Sequence, residues 1–174
     1  MASSGKEIKK KEEKFMGIYF IADTHFDDER ILAYEKRPYK TASDMTNELI
    51  QRWNETIHKE DIVYHIGDVG NQEIIKKLNG VKYLIKGNHD VLTNEEYRNC
   101  GFLEVYDHPI IIENFWILSH EPMYVNTNMP YANIFGHVHN SPLYKTYSKQ
   151  HYCVSVERID YQPIAFETIK KAVM

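Results

Sequence analysis

Apolar residues in this chain come in short runs that stop at polar clusters. Met16 to Ala22 (MGIYFIA) is β-branched and aromatic, the mark of a buried strand, and it ends in Asp23-Thr24-His25. Ile62 to Ile66 (IVYHI) predicts a second strand, followed by Gly67-Asp68. Val81 to Ile85 (VKYLI) predicts a third, followed by Lys86-Gly87-Asn88-His89-Asp90. Between the first two strands, Met45, Leu49, Ile50, Trp53 and Ile57 recur at three- and four-residue steps. That spacing predicts an amphipathic helix over 43–58, with Ser43 or Asp44 as its cap. A short helix is expected over Gln72 to Leu78, stopped by Asn79-Gly80, and a helical turn over Glu95 to Cys100. Further strands are expected at Leu103–Tyr106, Ile110–Ile112, Phe115–Leu118 and Asn133–Phe135, and the tail from Tyr152 to Phe166 reads as two more. With no internal repeat or linker, residues 16–174 are expected to form a single domain behind a charged arm, residues 1–15.

The pattern is that of an α/β protein. In such sheets ligands sit in the crevice at the carboxyl ends of the strands, which is where the polar clusters fall. Those clusters are therefore expected to converge on one pocket.

Composition narrows the class. Of 174 residues, 43% are apolar and 26% charged, a balance that excludes a disordered chain, a fibre and a disulfide scaffold. No apolar run approaches the roughly 20 residues needed to cross a bilayer. The charged start, MASSGKEIKKKEEKF, argues against a secretory leader, so Cys100 and Cys153 are expected to be free thiols in a cytoplasmic protein. A net charge of −4 gives no electrostatic reason for tight nucleic-acid binding. Lys9, Lys10, Lys11 and Lys14 alternate with Glu7, Glu12 and Glu13, which reads as a solvated arm rather than a polyanion contact. Histidine stands out, because five of the nine fall inside short motifs shared with Asp, Asn and Gly.

Those motifs have the chemistry of metal ligands. On extended backbone, residues two apart share a face, so Asp23 with His25, and His137 with His139, are expected to reach one small ion or two adjacent ones. Carboxylate, amide-oxygen and imidazole donors suit Mn²⁺, Fe or Zn²⁺ better than Ca²⁺. Neither cysteine lies near a motif, which excludes a zinc-thiolate site. Asp68, alone after a glycine, is placed to bridge two ions, and paired metals about 3.5–4 Å apart are a common device for cleaving phosphate esters. The ordinary reading of the same residues is turn chemistry at strand ends.

The ordered set Asp23-x-His25, Gly67-Asp68, Gly87-Asn88-His89-Asp90, Ser119-His120 and Gly136-His137-x-His139 resembles the calcineurin-like metallophosphoesterases, in a small bacterial or phage branch without large insertions. The resemblance implies a four-layer α/β/β/α sandwich of two mixed β-sheets flanked by helices. It implies two divalent ions, Mn²⁺ first and Fe, Zn²⁺ or Ni²⁺ as alternatives. One ion would be held by Asp23, His25, Asp68 and His139, the other by Asp68, Asn88, His120 and His137. A hydroxide bridging them would attack phosphorus, His89 would assist the leaving group as general acid, and Asp90 would orient the His89 imidazole. Asp28 departs from the pattern, standing where close relatives often carry a histidine, so substrate choice is open to difference.

Around this set, Arg30 and Arg37 are candidates to bind a substrate phosphate, although Arg37-Pro38 also suits a loop corner. Tyr124, Tyr131 and Trp53 are candidates to line a base or sugar pocket, with core packing as their ordinary role. His65 is expected to be a satisfied core histidine. The function expected is hydrolysis of phosphate esters, diesters slightly preferred because no cap domain encloses the site. Substrates would be small-molecule or nucleotide esters, with no membrane partner. The alternatives are a phosphomonoesterase, or a catalytically silent scaffold that binds metal and protein.

Overall fold

The computed structural model describes residues 16–144 and 148–173, so the lysine-rich arm lies outside the described residues. Strand β1 (Ile18–Ile21) lies second from one edge of a five-stranded sheet. Its parallel neighbour is β2 (Ile62–His65), followed by β3 (Val81–Ile85) and β4 (Phe102–Tyr106), also parallel, while β9 (Ile164–Ala165) pairs antiparallel on its other side. A second sheet has the order β5 (Ile110–Ile112), β6 (Trp116–Ser119), β7 (Ala132–Phe135), β8 (His151–Cys153). There β5 is antiparallel to β6, and β6, β7 and β8 are parallel. The expected pair of mixed sheets with flanking helices is therefore present.

Helices α1 (Glu29–Tyr34), α2 (Ala42–Thr56), α3 (Asn94–Asn99) and α4 (Phe166–Val173) join them, with a 3-10 turn over Gln72–Lys77. In α2 the residues Met45, Leu49 and Trp53, four apart, are buried, as the apolar spacing requires. The cap is Thr41 rather than Ser43 or Asp44. Its hydroxyl accepts from the Asp44 N–H at 3.1 Å, which starts the helix one residue earlier than expected. Trp53 Nε1 donates to the Asn79 carbonyl (3.0 Å), so the largest buried ring is also hydrogen-bonded. A reciprocal capping box between Thr93 and Glu96 starts α3.

The two strands expected in the tail are β8 and β9, one in each sheet, and the chain then turns into α4, whose Phe166 and Ile169 are buried. The Phe166 ring lies 5.1 Å from Phe20 of β1 and 5.3 Å from Trp116 of β6, so one side chain joins the two sheets. Burying a ring of this size contributes about 2–3 kcal/mol. No helix among the described residues is long and apolar enough to cross a membrane.

His65 is fully buried, as expected of a core histidine. The Thr24 hydroxyl donates to the Val69 carbonyl (2.9 Å), so it accepts from His65 Nε2–H, also at 2.9 Å. His65 Nδ1 is left without a partner, and burial pushes the imidazole down to about 3. A lowered histidine value means the unfolded chain, titrating near 6.5, takes up the proton first. Stability is thus complete above pH 6.5 and falls as pH drops toward 3. Between pH 7 and pH 5 the wild type should lose about 2 kcal/mol relative to His65→Gln, read from urea midpoints. Parallel losses in both proteins would refute this assignment.

Candidate metal centre

The carboxyl ends of β1, β2 and β3 in one sheet meet those of β6 and β7 in the other. Backbone hydrogen bonds stitch the ends together: Asp23 N to Gly67 O (2.9 Å), His25 N to Asp68 O (3.1 Å), Ala22 N to Val154 O (2.9 Å) and Gly136 N to His120 O (2.9 Å). The His137 N–H donates to the Asp23 carboxylate (2.9 Å to Oδ2), tying a loop of the second sheet to a ligand of the first.

The expected pairing of Asp23 with His25 and of His137 with His139 on extended backbone is not what brings these side chains together. Asp23, His25, Asp68, His137 and His139 all have positive φ, between 45° and 67°. Each strand has ended, and left-handed turns aim the side chains inward, at a cost of about 1–2 kcal/mol per residue. Such strain persists only where surrounding contacts over-determine it. Gly67 (φ 84°) shows how tight the turn is, because a Cβ there would run into the His120 ring. At Gly87 a Cβ would strike the Asp68 carboxylate, so Gly87 lets the Asn88–His89 loop pass over it.

The polar atoms form two clusters that share Asp68. In one, Asp68 Oδ2 lies 3.4 Å from His120 Nε2, Asn88 Oδ1 lies 3.1 Å from His120 Nε2 and 3.0 Å from His137 Nδ1, and those two nitrogens are 3.2 Å apart. In the other, ligand atoms of Asp23, His25 and His139 come within 4.8 Å of one another, and Asp68 Oδ2 is 3.6 Å from His25 Nε2. His120 Nδ1–H donates to the Ile66 carbonyl (2.8 Å) and His139 Nδ1–H to Glu157 Oε1 (3.1 Å), which aims the opposite nitrogen of each ring at the centre. His25 Nε2 is buried with no hydrogen-bond partner.

A divalent ion fits these observations. Donor atoms about 2.0–2.2 Å from one ion stand about 3.0–3.4 Å apart, and the first cluster shows that spacing among groups that are lone-pair acceptors. The charges agree. Burial pushes Asp23 up to about 6 and His25 down to about 4. At His120 burial is outweighed by Asp68 and Asp23, which raise it to about 9. The same imidazole, with the His89 backbone N–H and His25, more than offsets the burial of Asp68 and holds its carboxyl well below the usual range. A proton thus gathers on His120, where a cation would neutralise Asp68.

Every residue named as a metal ligand from the sequence is brought to this centre. His89 lines the same cleft, its ring 5.6 Å from that of His25, and Arg30 reaches the cleft with an 86% exposed side chain. Arg30 is paired with Asp28 (3.1 Å), which caps α1 and sits 3.9 Å from His25 Nδ1.

Two expectations need correction. Asp90 does not orient His89. It is buried, and its carboxylate accepts from the N–H groups of Asp68 (2.7 Å), Gly87 (2.8 Å) and Val69 (3.0 Å) and from the Tyr97 hydroxyl (3.3 Å). It braces the two loops that carry Asp68 and Asn88. Asp90→Asn turns a donor toward those N–H groups and should cost about 3 kcal/mol, seen as a lower urea midpoint at constant m. A midpoint equal to that of the wild type would remove this role.

Arg37 does not reach substrate either. Its side chain is fully buried and bonds to the carbonyls of Asp23 (2.6 Å) and Thr24 (3.0 Å), to Met45 Sδ (3.3 Å) and to Glu157 (2.6 Å). It clamps the Asp23–His25 loop to the carboxylate that holds His139. Glu157 escaped the sequence reading because it lies 18 residues beyond His139 with no motif around it.

Two mixed sheets whose strand ends carry a shared carboxylate between clusters of imidazoles define a metal-centre α/β protein. The calcineurin-like phosphoesterase superfamily domain matches residues 16–156, and the chain belongs to that superfamily, whose members use two divalent metals to hydrolyse phosphate esters. It is 30% identical over 172 residues to the uncharacterized protein MJ1445 of Methanocaldococcus jannaschii, covering 90% of each chain. It resembles the crystal structure of AQ665, a protein of unknown function from Aquifex aeolicus (TM-score 0.69, 26% identity, 90% of this chain and 99% of that one). A fold likeness extends to the nuclease MPE of Pseudomonas putida (TM-score 0.50, 21% identity, 70% of this chain and 61% of that one).

Proposed function

We propose that the chain is a two-metal phosphodiesterase. The observation that carries the diester preference is the position of Asn88, which lines two clefts at once. One, of about 530 Å³, contains His25, Asp68, His89, His137 and His139. The other, of about 400 Å³, contains His120, Lys86, His108 and Glu121. A phosphorus held at the centre thus has room for a substituent on either side, as a diester requires and a monoester does not. A protein of this fold is a nuclease, so the fold is compatible with diester cleavage.

Asp23, His25, Asp68 and His139 would hold one ion, and Asp68, Asn88, His120 and His137 the other. Mn²⁺ is the first candidate, with Fe, Zn²⁺ or Ni²⁺ as alternatives. When bound, the pair supplies Lewis acidity to the phosphoryl oxygens and acidifies water toward neutrality. The chain's own part is positional. Asp68 fixes the spacing of the two clusters, Asp90 and Arg37 lock the loops, and His89 stands at the cleft to protonate the departing oxygen. The two unpaired cysteines suit a cytoplasmic location.

The test is to strip the protein with chelator, restore Mn²⁺, and compare bis(p-nitrophenyl) phosphate with p-nitrophenyl phosphate. Mn²⁺-dependent release from the diester, with little from the monoester, is expected. The reverse preference would make it a phosphomonoesterase, and silence on both with two metals bound would make it a scaffold.

A further inference from the structure

The larger cleft has a wall that the metal centre does not use. Helix α1 turns Ile31, Tyr34 and Glu35 toward it, three and four residues apart, and the segment after β7 adds Val138, Ser141 and Tyr144. Tyr34 is 83% exposed, an unusual state for a ring beside a buried site. The Glu35 carboxylate accepts no hydrogen bond from any described residue, yet it lies within 4.8 Å of His139 and Glu157. Among the described residues the one cation on this wall, Arg30, is already paired with Asp28. A second phosphate would therefore meet Glu35 and Asp28 without a free positive partner.

We infer that this wall seats the nucleoside arm of the diester, with the base stacked on Tyr34 and a ring amino or sugar hydroxyl group donating to Glu35. The inference rests on the phosphodiesterase reading and assigns one of its two clefts. An open aromatic face takes a planar ring, and an acceptor-only carboxylate beside it selects a ring system that carries N–H or O–H donors. A quaternary ammonium fits less well, because it carries no N–H or O–H to donate to Glu35. The volume, about 530 Å³, lies within the ordinary range for a small-molecule site.

Calorimetric titration of the Mn²⁺-loaded protein with adenosine 5′-phosphate, methyl phosphate and phosphocholine tests this without turnover. Adenosine 5′-phosphate should bind roughly 5- to 150-fold more tightly than methyl phosphate, the range for one stacked base. Tyr34→Ala should bring that ratio close to one, and Tyr34→Phe, which keeps the ring, should retain most of it. The exposed position of Tyr34 leaves the core untouched in both variants. Equal binding of the nucleotide and methyl phosphate, or a ratio that survives Tyr34→Ala, overturns the proposal. Tighter binding of phosphocholine overturns it in favour of a cationic arm. Loss of bis(p-nitrophenyl) phosphate turnover with the nucleotide preference intact would instead remove the phosphodiesterase reading and leave the slot standing.

Discussion

Asp68→Asn is expected to strip the centre of metal and abolish activity in one step. Asp68 Oδ2 faces His120 Nε2 at 3.4 Å and His25 Nε2 at 3.6 Å, so it stands between the two clusters. An amide can still accept from the His89 N–H, now 2.9 Å from Oδ1, so the loop has no reason to move. The second position then carries an NH₂ group, which has no lone pair for either ion and points its protons at two imidazole nitrogens. The negative charge that holds His120 protonated in the metal-free protein disappears as well. Metal content after gel filtration should fall from two ions to one or none, and turnover by more than roughly 10⁴-fold, beyond what loss of a general acid explains. Two ions retained by the Asp68→Asn variant would show that Asp68 is not the bridge.

A bridging residue has this effect because the two sheets supply separate halves of the centre. Asp23, His25, Asp68 and Asn88 follow strands of the first sheet, and His120, His137 and His139 follow strands of the second. The Phe166 contacts, the backbone bond from Ala22 N to Val154 O and the bond from His137 N–H to the Asp23 carboxylate hold the halves in register at this end. A divalent ion bound there would therefore also stabilise the junction of the sheets, shifting the folding equilibrium by mass action.

The strands and the ligand set were legible because short β-branched runs bounded by Asp, Asn and Gly leave a local signal. Helix α1 was not, since one buried residue, Ile31, in six gives no periodicity. Helix α4 was hidden because the apolar Ile164-Ala165 runs directly into Phe166, and a strand pattern covers the first helical turn. The residues named as ligands are brought together, while the local geometry behind them was not foreseen. Asp23 and His25 converge through left-handed turns that no residue spacing reveals. Arg37, Glu157 and Asp90 were unreadable or misread for one reason. Each acts through backbone groups or ligands far away in sequence, as with the 120 residues that separate Arg37 from Glu157. Motifs mark the residues that gather at the centre, whereas the bracing of those residues is distributed over the fold.

His89→Ala should slow turnover by roughly 10²–10⁴-fold while leaving both ions in place. The backbone and the side chain of this residue make separate contacts. Its backbone N–H, which survives the substitution, holds Asp68 Oδ1 at 2.9 Å, and the loop on either side is pinned by Asp90 through Gly87 N (2.8 Å). The imidazole itself is exposed to the cleft and hydrogen-bonds to none of the ligands, so removing it frees no buried group. The loss should then depend on what leaves. A p-nitrophenolate departs readily as an anion and needs little protonation, whereas an alkoxide must take up a proton as the P–O bond breaks. The His89→Ala defect should therefore sit near the lower end of that range for nitrophenyl esters and near the upper end for alkyl diesters. Equal losses across both series, with metal content unchanged, would mean that His89 stabilises charge on the phosphoryl group rather than protonating the leaving oxygen.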